Sequence, residues 1–292
     1  MAPMILVTGG TSRVGLEVVR QFSANGTRGV RVLVRHPEKV AALAGRGVEI
    51  ISGDITDTDS LGRAMRNVER ALVIPPNVPG QAEMEGRIYR TARLAGVHHI
   101  VKLSTVKADV NSPCCFFKEH AIAEEYLRGA GVGFTILGSN SFMQNLLWFA
   151  KEIKSKSTFS LPMGDAKTAP VDVRDVAAVA VAVLSGGGHG GAAYSITGPQ
   201  ELSFAEMAKE LSTALGREVK YCDLAPTEFV EMLILSGVPS WHARAVAAAW
   251  SVARKERPRV TDDVAEITKK DPITFEQYTR DYADAFACSD AI

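Results

Sequence analysis

The sequence predicts an α/β protein with a doubly wound parallel sheet and a smaller, mostly helical C-terminal lobe. Short β-branched runs alternate with amphipathic stretches over the first half of the chain, which is typical of strand-helix-strand units. Gly9 and Gly15 stand where the first strand passes into the first helix. After Leu137 the alternation gives way to longer helical patterns. The expected fold is therefore of the Rossmann type.

Six strands are predicted in the first half, because each is a short β-branched run closed by a turn-forming residue. They span 4–8, 30–35, 48–52, 70–75, 99–104 and 133–137. The stretches between them have room for crossover helices, at 15–25, 37–44, 59–67, 81–95 and 115–130. Two further strands are predicted at 193–196 and 219–222.

Beyond the sixth strand the helices are longer. One apolar helix is predicted over 140–154, and another over 240–255 after the stop signal Gly237-Val238-Pro239. Asp172 is expected to be the N-cap of a helix, with Asp175 at the capping-box position, so both acids are expected to have structural roles.

Composition limits the class of protein. The 292 residues are 46% hydrophobic, and 33 basic residues balance 33 acidic ones. A chain of this length forms one large domain or a domain with an appendage. Because the formal charge cancels and no long run of like charges occurs, neither a nucleic acid nor a membrane is expected as a partner.

The chain is expected to be cytoplasmic. Its longest uncharged apolar run, near 176–184, is well short of the ~20 residues that cross a bilayer. The opening 1–4 leads into a strand with no basic segment before it. No metal site is expected, because the cysteines match no ligand spacing and are interpreted as ordinary thiols: Cys114, Cys115, Cys222 and Cys288.

The turn after the first strand has the pattern of a phosphate-binding turn. It leads into a helix whose N-terminal amides can meet a phosphate, and Ser12 replaces the middle glycine of the usual motif. We expect Ser12 to offer its amide and hydroxyl to a pyrophosphate; the alternative is a turn that only begins a helix. The residues expected to bind a dinucleotide here are Gly9, Thr11, Ser12, Arg13, Val14 and Gly15.

The end of the second strand indicates which dinucleotide is bound. An acid there would accept hydrogen bonds from the ribose of NAD, whereas a cation would pair with the 2′-phosphate of NADP. Arg35 occupies this position, with Arg13 and Lys39 nearby, so NADPH is the expected cofactor. The alternative is that Arg35 is a solvated strand end. Further cofactor contacts are expected from Asp54, Ile55, Pro75, Pro76 and Ser104.

With these residues placed, the chain resembles the NmrA-like family of atypical short-chain dehydrogenases and reductases over essentially its whole length. The segments that carry the likeness are Val7-Thr8-Gly9-Gly10-Thr11, Leu33-Val34-Arg35, Gly53-Asp54 and Phe142-Met143-Gln144-Asn145. The part from Val171 onward is similar to bacterial triphenylmethane reductases and NADPH quinone reductases. The resemblance implies a reductase that uses NADPH, or a regulator that senses NADP(H) and binds a partner protein.

A local likeness indicates a catalytic candidate. The segment Phe116-Phe117-Lys118-Glu119-His120 is similar to one in isoflavone and phenylcoumaran benzylic ether reductases, and His120 stands where they carry a catalytic lysine. Typical short-chain dehydrogenases have a Tyr-x-x-x-Lys pair where this chain has Phe116 and His120. Without that tyrosine, reduction of a simple carbonyl is disfavoured, because the developing oxyanion needs a proton donor. Hydride transfer depends less on a proton donor when the acceptor is a quinone, an imine, an iminium ion, a conjugated C=C bond or a cationic dye.

The catalytic candidates are His120 and Ser104. Glu124 lies four residues after His120, so we expect it to orient the imidazole, whose titration near pH 6 to 7 would appear in the rate. The alternative is an ordinary helix histidine. Ser104 is expected to donate to a substrate oxygen or to the nicotinamide ribose, unless its hydroxyl only bonds its own backbone. Substrate contacts are expected from Asn140, Phe142, Met143 and Trp241.

The sequence therefore predicts an NADP(H)-binding domain over 1–140, to which 170–198 returns, and a smaller substrate-binding lobe made of 141–169 and 199–292. The expected function is hydride transfer from NADPH to a small, apolar, unsaturated or aromatic acceptor. The sensing regulator stays open as an alternative, as does an isomerase or cyclase that uses His120 without net redox. The chain is expected to be a monomer or a homodimer.

Overall fold

Strands alternate with helices along most of the chain. The computed structural model describes residues 4–43 and 47–287. Its strands are β1 (Ile5–Val7), β2 (Val30–Val34), β3 (Val48–Ser52), β4 (Arg70–Val73), β5 (His99–Thr105), β6 (Gly133–Ser139), β7 (Thr158–Leu161), β8 (Lys167–Thr168), β9 (Ala193–Ile196), β10 (Leu202–Ser203) and β11 (Lys220–Asp223). Its helices are α1 (Arg13–Ala24), α2 (Thr58–Ala64), α3 (Gln81–Leu94), α4 (Cys115–Arg128), α5 (Ala150–Lys156), α6 (Val173–Ser185), α7 (Phe204–Leu215), α8 (Pro226–Leu235), α9 (Ser240–Lys255), α10 (Asp263–Thr268), α11 (Phe275–Asp281) and α12 (Ala283–Phe286).

Seven strands form one sheet in the order β3-β2-β1-β4-β5-β6-β9, and every adjacent pair is parallel. The chain runs outward from β1 to β3 and then returns to β4 on the other side of β1. The strand order therefore reverses between β1 and β4, the point where open parallel sheets bind ligands. This arrangement confirms the expected doubly wound Rossmann-type fold.

Helices cover both faces of this sheet, because alternate side chains of a strand point to opposite faces. Ile5 and Val7 join the core beneath α1 and α6, whereas Leu6 joins the core beneath α2 and α3. Every residue of β2 is buried, as is typical of a strand inside a parallel sheet. α6 and β9 belong to this part of the fold, since α6 packs on α1 and β9 pairs with β6.

A second hydrophobic core lies beyond the sheet, among the C-terminal helices. It includes Phe159, Phe204 and Phe275. Two short strand pairs border it: β7 with β11, and β8 with β10. Between this core and the sheet, α9 packs its buried Ala245 against Cys114 and Phe116 at the start of α4. α9 is thereby fixed above the carboxyl edge of the sheet.

The predicted helix over 140–154 is wrong in its first half. Asn140 and Ser141 belong to no helix, Phe142 is extended, Met143–Phe149 is a 3-10 helix, and only Ala150–Lys156 is an α-helix. The reason is a long-range pairing: Phe142 and Val171 form a parallel bridge, in which Met143 N donates to Val171 O at 2.9 Å. Backbone groups used in this bridge are unavailable to a helix.

The two acids at the start of α6 have different roles. Asp172 is the N-cap as expected, since its Oδ1 accepts from Arg174 N at 2.8 Å. Asp175 does not complete a capping box, which corrects the prediction. Its Oδ2 instead accepts from Ile273 N at 2.8 Å, which ties α6 to the segment before α11.

Several other expectations concern single elements. The predicted helix 37–44 is a 3-10 helix at Pro37–Leu43, and Ala44 lies outside the described residues.

The described cysteines are free thiols: Cys114 is buried, and Cys115 and Cys222 are exposed. Cys288 lies outside the described residues. No helix in the described ranges is both long and apolar enough to cross a membrane. Within the same ranges, no group of three or more His, Cys, Asp or Glu side chains could hold a metal ion.

Candidate cofactor and acceptor cleft

The turn between β1 and α1 can be built only with glycine at several positions. Gly9 has a φ of +64°, and a Cβ there would stand 2.9 Å from the carbonyl oxygen of Ile74. A Cβ on Gly10 would lie 2.2 Å from a methyl group of Val32, and one on Gly15 would lie 2.3 Å from the carbonyl of Gly9. The backbone therefore approaches its neighbours as closely as a dinucleotide-binding turn requires.

Ser12 does not offer its amide to a ligand, which corrects the prediction. Its N–H donates to Gly9 O at 2.8 Å, and its Oγ caps α1 by accepting from Gly15 N at 3.0 Å. The hydroxyl hydrogen stays free to donate. Arg13 and Val14 are the first two residues of α1, where helix amides have no partner within the helix. The first turn carries no acid, so the helix dipole and Arg13 both favour an anion there.

The predicted contacts beyond the turn lie on neighbouring strand ends. Arg35 follows β2 and is exposed, as is Lys39 in the next 3-10 helix. Asp54 follows β3, and its pKa is lowered, chiefly by the Thr56 amide at 2.8 Å and also by the charge of Arg35. Ile55 packs against the core beneath α2 and α3, and Pro76 is exposed.

A cleft of about 600 Å³ opens at the carboxyl edge of the sheet and is covered by α9. Of the predicted cofactor residues, five line it besides Ser104: Thr11, Ser12, Arg13, Val14 and Pro75. Its other walls are largely aromatic and come from α4, the segment after β6 and α9: Phe116, Phe117, Phe142, Trp148, His242 and Trp250. Its volume is that of a site for small molecules and cofactors.

Two of the four predicted substrate residues line this cleft. Asn140 and Phe142 do, with the Asn140 Oδ1 accepting from Thr168 Oγ1 at 3.1 Å. Met143 does not; it is 3% exposed and belongs to the second hydrophobic core. Met143 is the first residue of the 3-10 helix, and its side chain packs in the second core with Leu146 and Phe204.

Trp241 also does not line the cleft, and its contact with the substrate stays a prediction. It is 41% exposed and packs edge-on against His242, with ring centroids 5.1 Å apart. The residues of α9 that line the cleft follow a helical stripe: His242, Val246, Ala249, Trp250 and Ala253. That spacing is visible in the sequence and could have identified the stripe, since Trp241 is out of phase with it.

His120 lies at the inner wall of the cleft and is 8% exposed. Its Nδ1 faces Lys102 Nζ and Gln81 Nε2, each at 3.3 Å. Glu124 instead accepts from Ser104 Oγ at 2.6 Å and pairs with Arg128. The expectation that Glu124 orients the imidazole is therefore wrong, because its carboxylate accepts a hydrogen bond from the Ser104 hydroxyl on the adjacent strand instead.

Ser104 lines the cleft as predicted, but its hydrogen is directed to Glu124. The geometry thus leaves Ser104 as an acceptor towards the cleft, rather than the donor expected. Burial, and then the charge of Lys102, lowers the pKa of His120 well below its usual 6.5. The imidazole is consequently neutral at pH 7.

Lys102 and its partners were not expected at the site. Lys102 is fully buried in β5 and pairs with the equally buried Glu85 of α3, with Nζ and Oε2 2.7 Å apart. The signal for it was a lysine in the middle of an apolar run, at a position where a central parallel strand is buried on both faces.

The glycine turn, the strand-order reversal and the aromatic cleft define a dinucleotide-binding Rossmann protein with a ligand site between its sheet and its helical lobe. The model of the NmrA-like family matches residues 1–278, and the chain belongs to this family.

Relatives of known activity are similar over nearly the whole chain. The NAD(P)H azoreductase of Xenophilus azovorans is 34% identical over 287 residues, which are 98% of this chain and 100% of that protein. A (4-alkanoyl-5-oxo-2,5-dihydrofuran-3-yl)methyl phosphate reductase of Streptomyces griseus is 35% identical, over 97% of this chain and 99% of its own. The crystal structure of an NADPH-dependent quinone oxidoreductase of Escherichia coli with NADPH superposes with a TM-score of 0.86 at 27% identity, covering 96% of this chain and 100% of that one.

Proposed function

We propose that this chain is a reductase that transfers hydride from NADPH to a flat, largely apolar acceptor that is neutral or anionic. The enzyme class and the cofactor expected from the sequence, an NADPH-dependent oxidoreductase, are confirmed by the relatives. The nature of the acceptor is the proposal. One observation carries it: the phosphate-binding turn and an aromatic wall border the same cleft.

The residues present fit NADPH. The close backbone packing at Gly9, Gly10 and Gly15 forms the turn that a pyrophosphate needs, and the first amides of α1 with Arg13 would hold it. Arg35 would pair with the 2′-phosphate, assisted by Lys39. When bound, NADPH supplies the hydride; the chain orients the reactants and keeps water out.

The charges around the cleft favour particular acceptors. In the described part of the chain, the lining contains Arg13 and Lys107 but no Asp or Glu side chain. Lys107 pairs with Glu256, which lies outside the lining, so the charge of its ammonium is partly neutralised. The lining thus offers a cationic dye no carboxylate of its own, which narrows the range of acceptors expected from the sequence. Neutral quinones, azo compounds and acceptors with a phosphate or sulfonate fit better.

Aromatic side chains would position the acceptor. Phe142 and Trp250 lie on different walls of the cleft, and Trp250 is held by an edge-on contact with Phe204 at 5.5 Å. Flat rings stack on such side chains in offset or edge-to-face geometry. Hydride arrival leaves negative charge on an oxygen or nitrogen of the acceptor. The imidazole of His120, which lines the cleft, would donate a hydrogen bond to that atom.

The test is NADPH oxidation under anaerobic conditions with three acceptors: a neutral quinone, a sulfonated azo dye and a cationic triphenylmethane dye. We expect kcat/KM for the first two to exceed that for the cationic dye by about tenfold or more, the factor that corresponds to ~1.4 kcal/mol. Preference for the cationic dye would overturn the charge argument. Failure to reduce any acceptor would overturn the reductase itself and favour the sensing regulator or the isomerase.

Lys107→Gln tests the effect of charge in the cleft, because it removes the charge of Lys107 and keeps a polar side chain at that position. It should raise KM for the sulfonated dye and leave KM for the neutral quinone unchanged. Lys167→Gln is the matched control, because Lys167 pairs with Glu206 and does not line the cleft. Equal effects of Lys107→Gln on both acceptors would contradict a role for its charge.

A further inference from the structure

A polar network is buried behind the inner wall of the cleft. We define this buried network as Gln81, Glu85 and Tyr89 of α3, Lys102 of β5 and His120 of α4. The first four are fully buried, and His120 alone reaches the cleft. Buried charges are costly unless they are paired and hydrogen-bonded. The partners of each group therefore indicate what the network holds in place.

Every hydrogen of the Lys102 ammonium has an acceptor. Nζ lies 2.7 Å from Glu85 Oε2, 3.3 Å from His120 Nδ1 and 3.5 Å from Leu103 O. Burial lowers the pKa of Lys102, and the charge and hydrogen bond of Glu85 oppose that lowering and hold the amine as an ammonium. An ammonium has three hydrogens and accepts none, so all three contacts run outward from Nζ. The imidazole Nδ1 is thus on the receiving side.

Glu85 is a carboxylate surrounded by donors. Its Oε2 accepts from Tyr89 OH at 2.5 Å as well as from Lys102, and its Oε1 accepts from Gln81 Nε2 at 3.0 Å. These contacts also settle the orientation of the Gln81 amide. Turning the amide over would put its oxygen against Glu85 Oε1, so the NH₂ group faces both Glu85 and His120 Nδ1.

Two donors therefore point at His120 Nδ1. A hydrogen on that nitrogen would face the Lys102 ammonium and the Gln81 NH₂ group, with no acceptor for it. Nδ1 must carry its lone pair, and in a neutral imidazole the single hydrogen is then on Nε2. Nδ1 faces the buried network, so Nε2 lies on the opposite edge of the ring, towards the cleft.

We propose that Lys102, held in place by Glu85, is a positioning residue that fixes His120 as a neutral imidazole with its hydrogen on Nε2. His120 then donates a hydrogen bond to the acceptor atom that gains negative charge. The acceptor part rests on the proposed reductase function; the tautomer does not. The charged and titratable groups near the ring are Lys102, Glu85 and Tyr89, with Glu124 one turn along α4. Burial and Lys102 lower the pKa of His120, in agreement with a ring that stays neutral.

Nitrogen-15 NMR of the intact protein tests the tautomer without any need for turnover. In protein labelled at histidine, His120 should show a non-protonated Nδ1 and a protonated Nε2, unchanged between about pH 6 and pH 8. The spectrum of His120→Gln identifies the signals. A protonated Nδ1, or a ring that titrates in this range, would overturn the proposal.

A double variant tests what the positioning contributes. Lys102→Met with Glu85→Gln removes both charges of the pair, so that no buried charge is left alone. We expect the His120 ring to populate both tautomers and the single-turnover rate of NADPH oxidation to fall about ten- to a hundredfold, with the Kd for NADPH unchanged. Loss of rate with the Nε2 tautomer retained would contradict the proposed role.

Arg31→Met with Glu49→Gln is the matched control. Arg31 is a buried cation of the same sheet, paired with Glu49 at 2.9 Å. This control should lower stability and leave both the tautomer and the rate unchanged. If the Lys102 double variant does not fold, the spectrum of the wild-type protein still decides the tautomer. Absence of turnover with every acceptor would count against the reductase alone.

Discussion

Ser12 and Gly9 show, residue by residue, what the dinucleotide turn requires. Ser12 has a φ of −73°, where an L-residue is unstrained, whereas Gly9 has a φ of +64°. A serine at the middle position therefore costs no backbone strain, and its capping bond to Gly15 N contributes about 1 kcal/mol to the helix. Serine in place of the usual glycine therefore retains the turn. It leaves the Ser12 hydroxyl, rather than the Ser12 amide, available to a phosphate.

We expect Arg35 to determine the preference for NADPH over NADH. Arg35→Asp removes the charge expected at the 2′-phosphate, and a charged hydrogen bond of this kind is worth about 1.5 to 3 kcal/mol. We expect the Kd for NADPH to rise about ten- to a hundredfold, with NADH affected little or bound better. Calorimetric titration of both nucleotides measures it.

Arg28→Asp is the matched control for Arg35→Asp. Arg28 is also an exposed arginine, but it precedes the start of β2, whereas Arg35 follows its end. It should leave both affinities unchanged. Equal binding of NADH and NADPH by the wild-type protein would contradict the assignment of Arg35.

The structure changes the pH dependence that we expect His120 to give the reaction rate. An ordinary imidazole pKa predicts a titration of the rate near pH 6 to 7. Burial and Lys102 instead hold the pKa well below 6.5, so the ring is already neutral throughout that range. We expect the wild-type single-turnover rate to be flat between about pH 6 and pH 8, and His120→Ala to be slower by a constant factor of about 10² or more. A step in the wild-type profile that His120→Ala abolishes would contradict this.

At the scale of elements, periodic patterns located the helices and strands well. α9, β3 and β9 begin and end where the sequence predicts, because an amphipathic stripe or a β-branched run extends over the whole element. The segment 140–154 failed for a different reason. Its first residues pair with Val171, and no local pattern reveals a partner so far along the chain.

Phe142 and Met143, where the chain passes into the 3-10 helix, offer a pair of neighbouring variants. Phe142 faces the cleft, whereas Met143 is in the second core. Phe142→Ala should lower kcat/KM for the acceptor about tenfold or more, with the Kd for NADPH within about twofold of wild type. Met143→Ala should instead lower the free energy of unfolding by about 2 to 5 kcal/mol and leave KM for the acceptor unchanged.

Steady-state kinetics and urea unfolding of both variants measure these effects. If Phe142→Ala loses stability and cofactor binding together with no effect specific to the acceptor, Phe142 is a core residue.

For the whole molecule, the sequence predicted the fold and the cofactor turn but only part of the cleft. The turn is local, so the spacing of Gly9 and Gly15 was sufficient. The buried network was missed because Glu85, Lys102 and His120 come from three separate elements and meet only in the fold. Glu124 was assigned to His120 on helical spacing alone, and Ser104 of the neighbouring strand proved the closer partner.

Asp175 connects the sheet domain to the C-terminal helices, and its charge makes that connection depend on pH. Burial raises its pKa from 3.8 to about 6, and the bond from Ile273 N opposes the rise only in part. A raised pKa means that the folded state holds the proton more tightly than the unfolded state. Its contribution to stability is therefore complete below about pH 4 and is lost as the pH rises through about 6.

Asp175→Asn keeps an oxygen for Ile273 N and removes the buried charge. We expect it to exceed wild type in free energy of unfolding by about 3 kcal/mol at pH 8, and to lose this advantage at about pH 4. Urea unfolding at both pH values measures the difference, with the exposed Asp165→Asn as a control that should show none. An advantage of the same size at both pH values would mean that Asp175 acts through its hydrogen bond rather than its charge. A variant less stable than wild type at pH 8 would mean that the ionised carboxylate strengthens the bond to Ile273 by more than its burial costs.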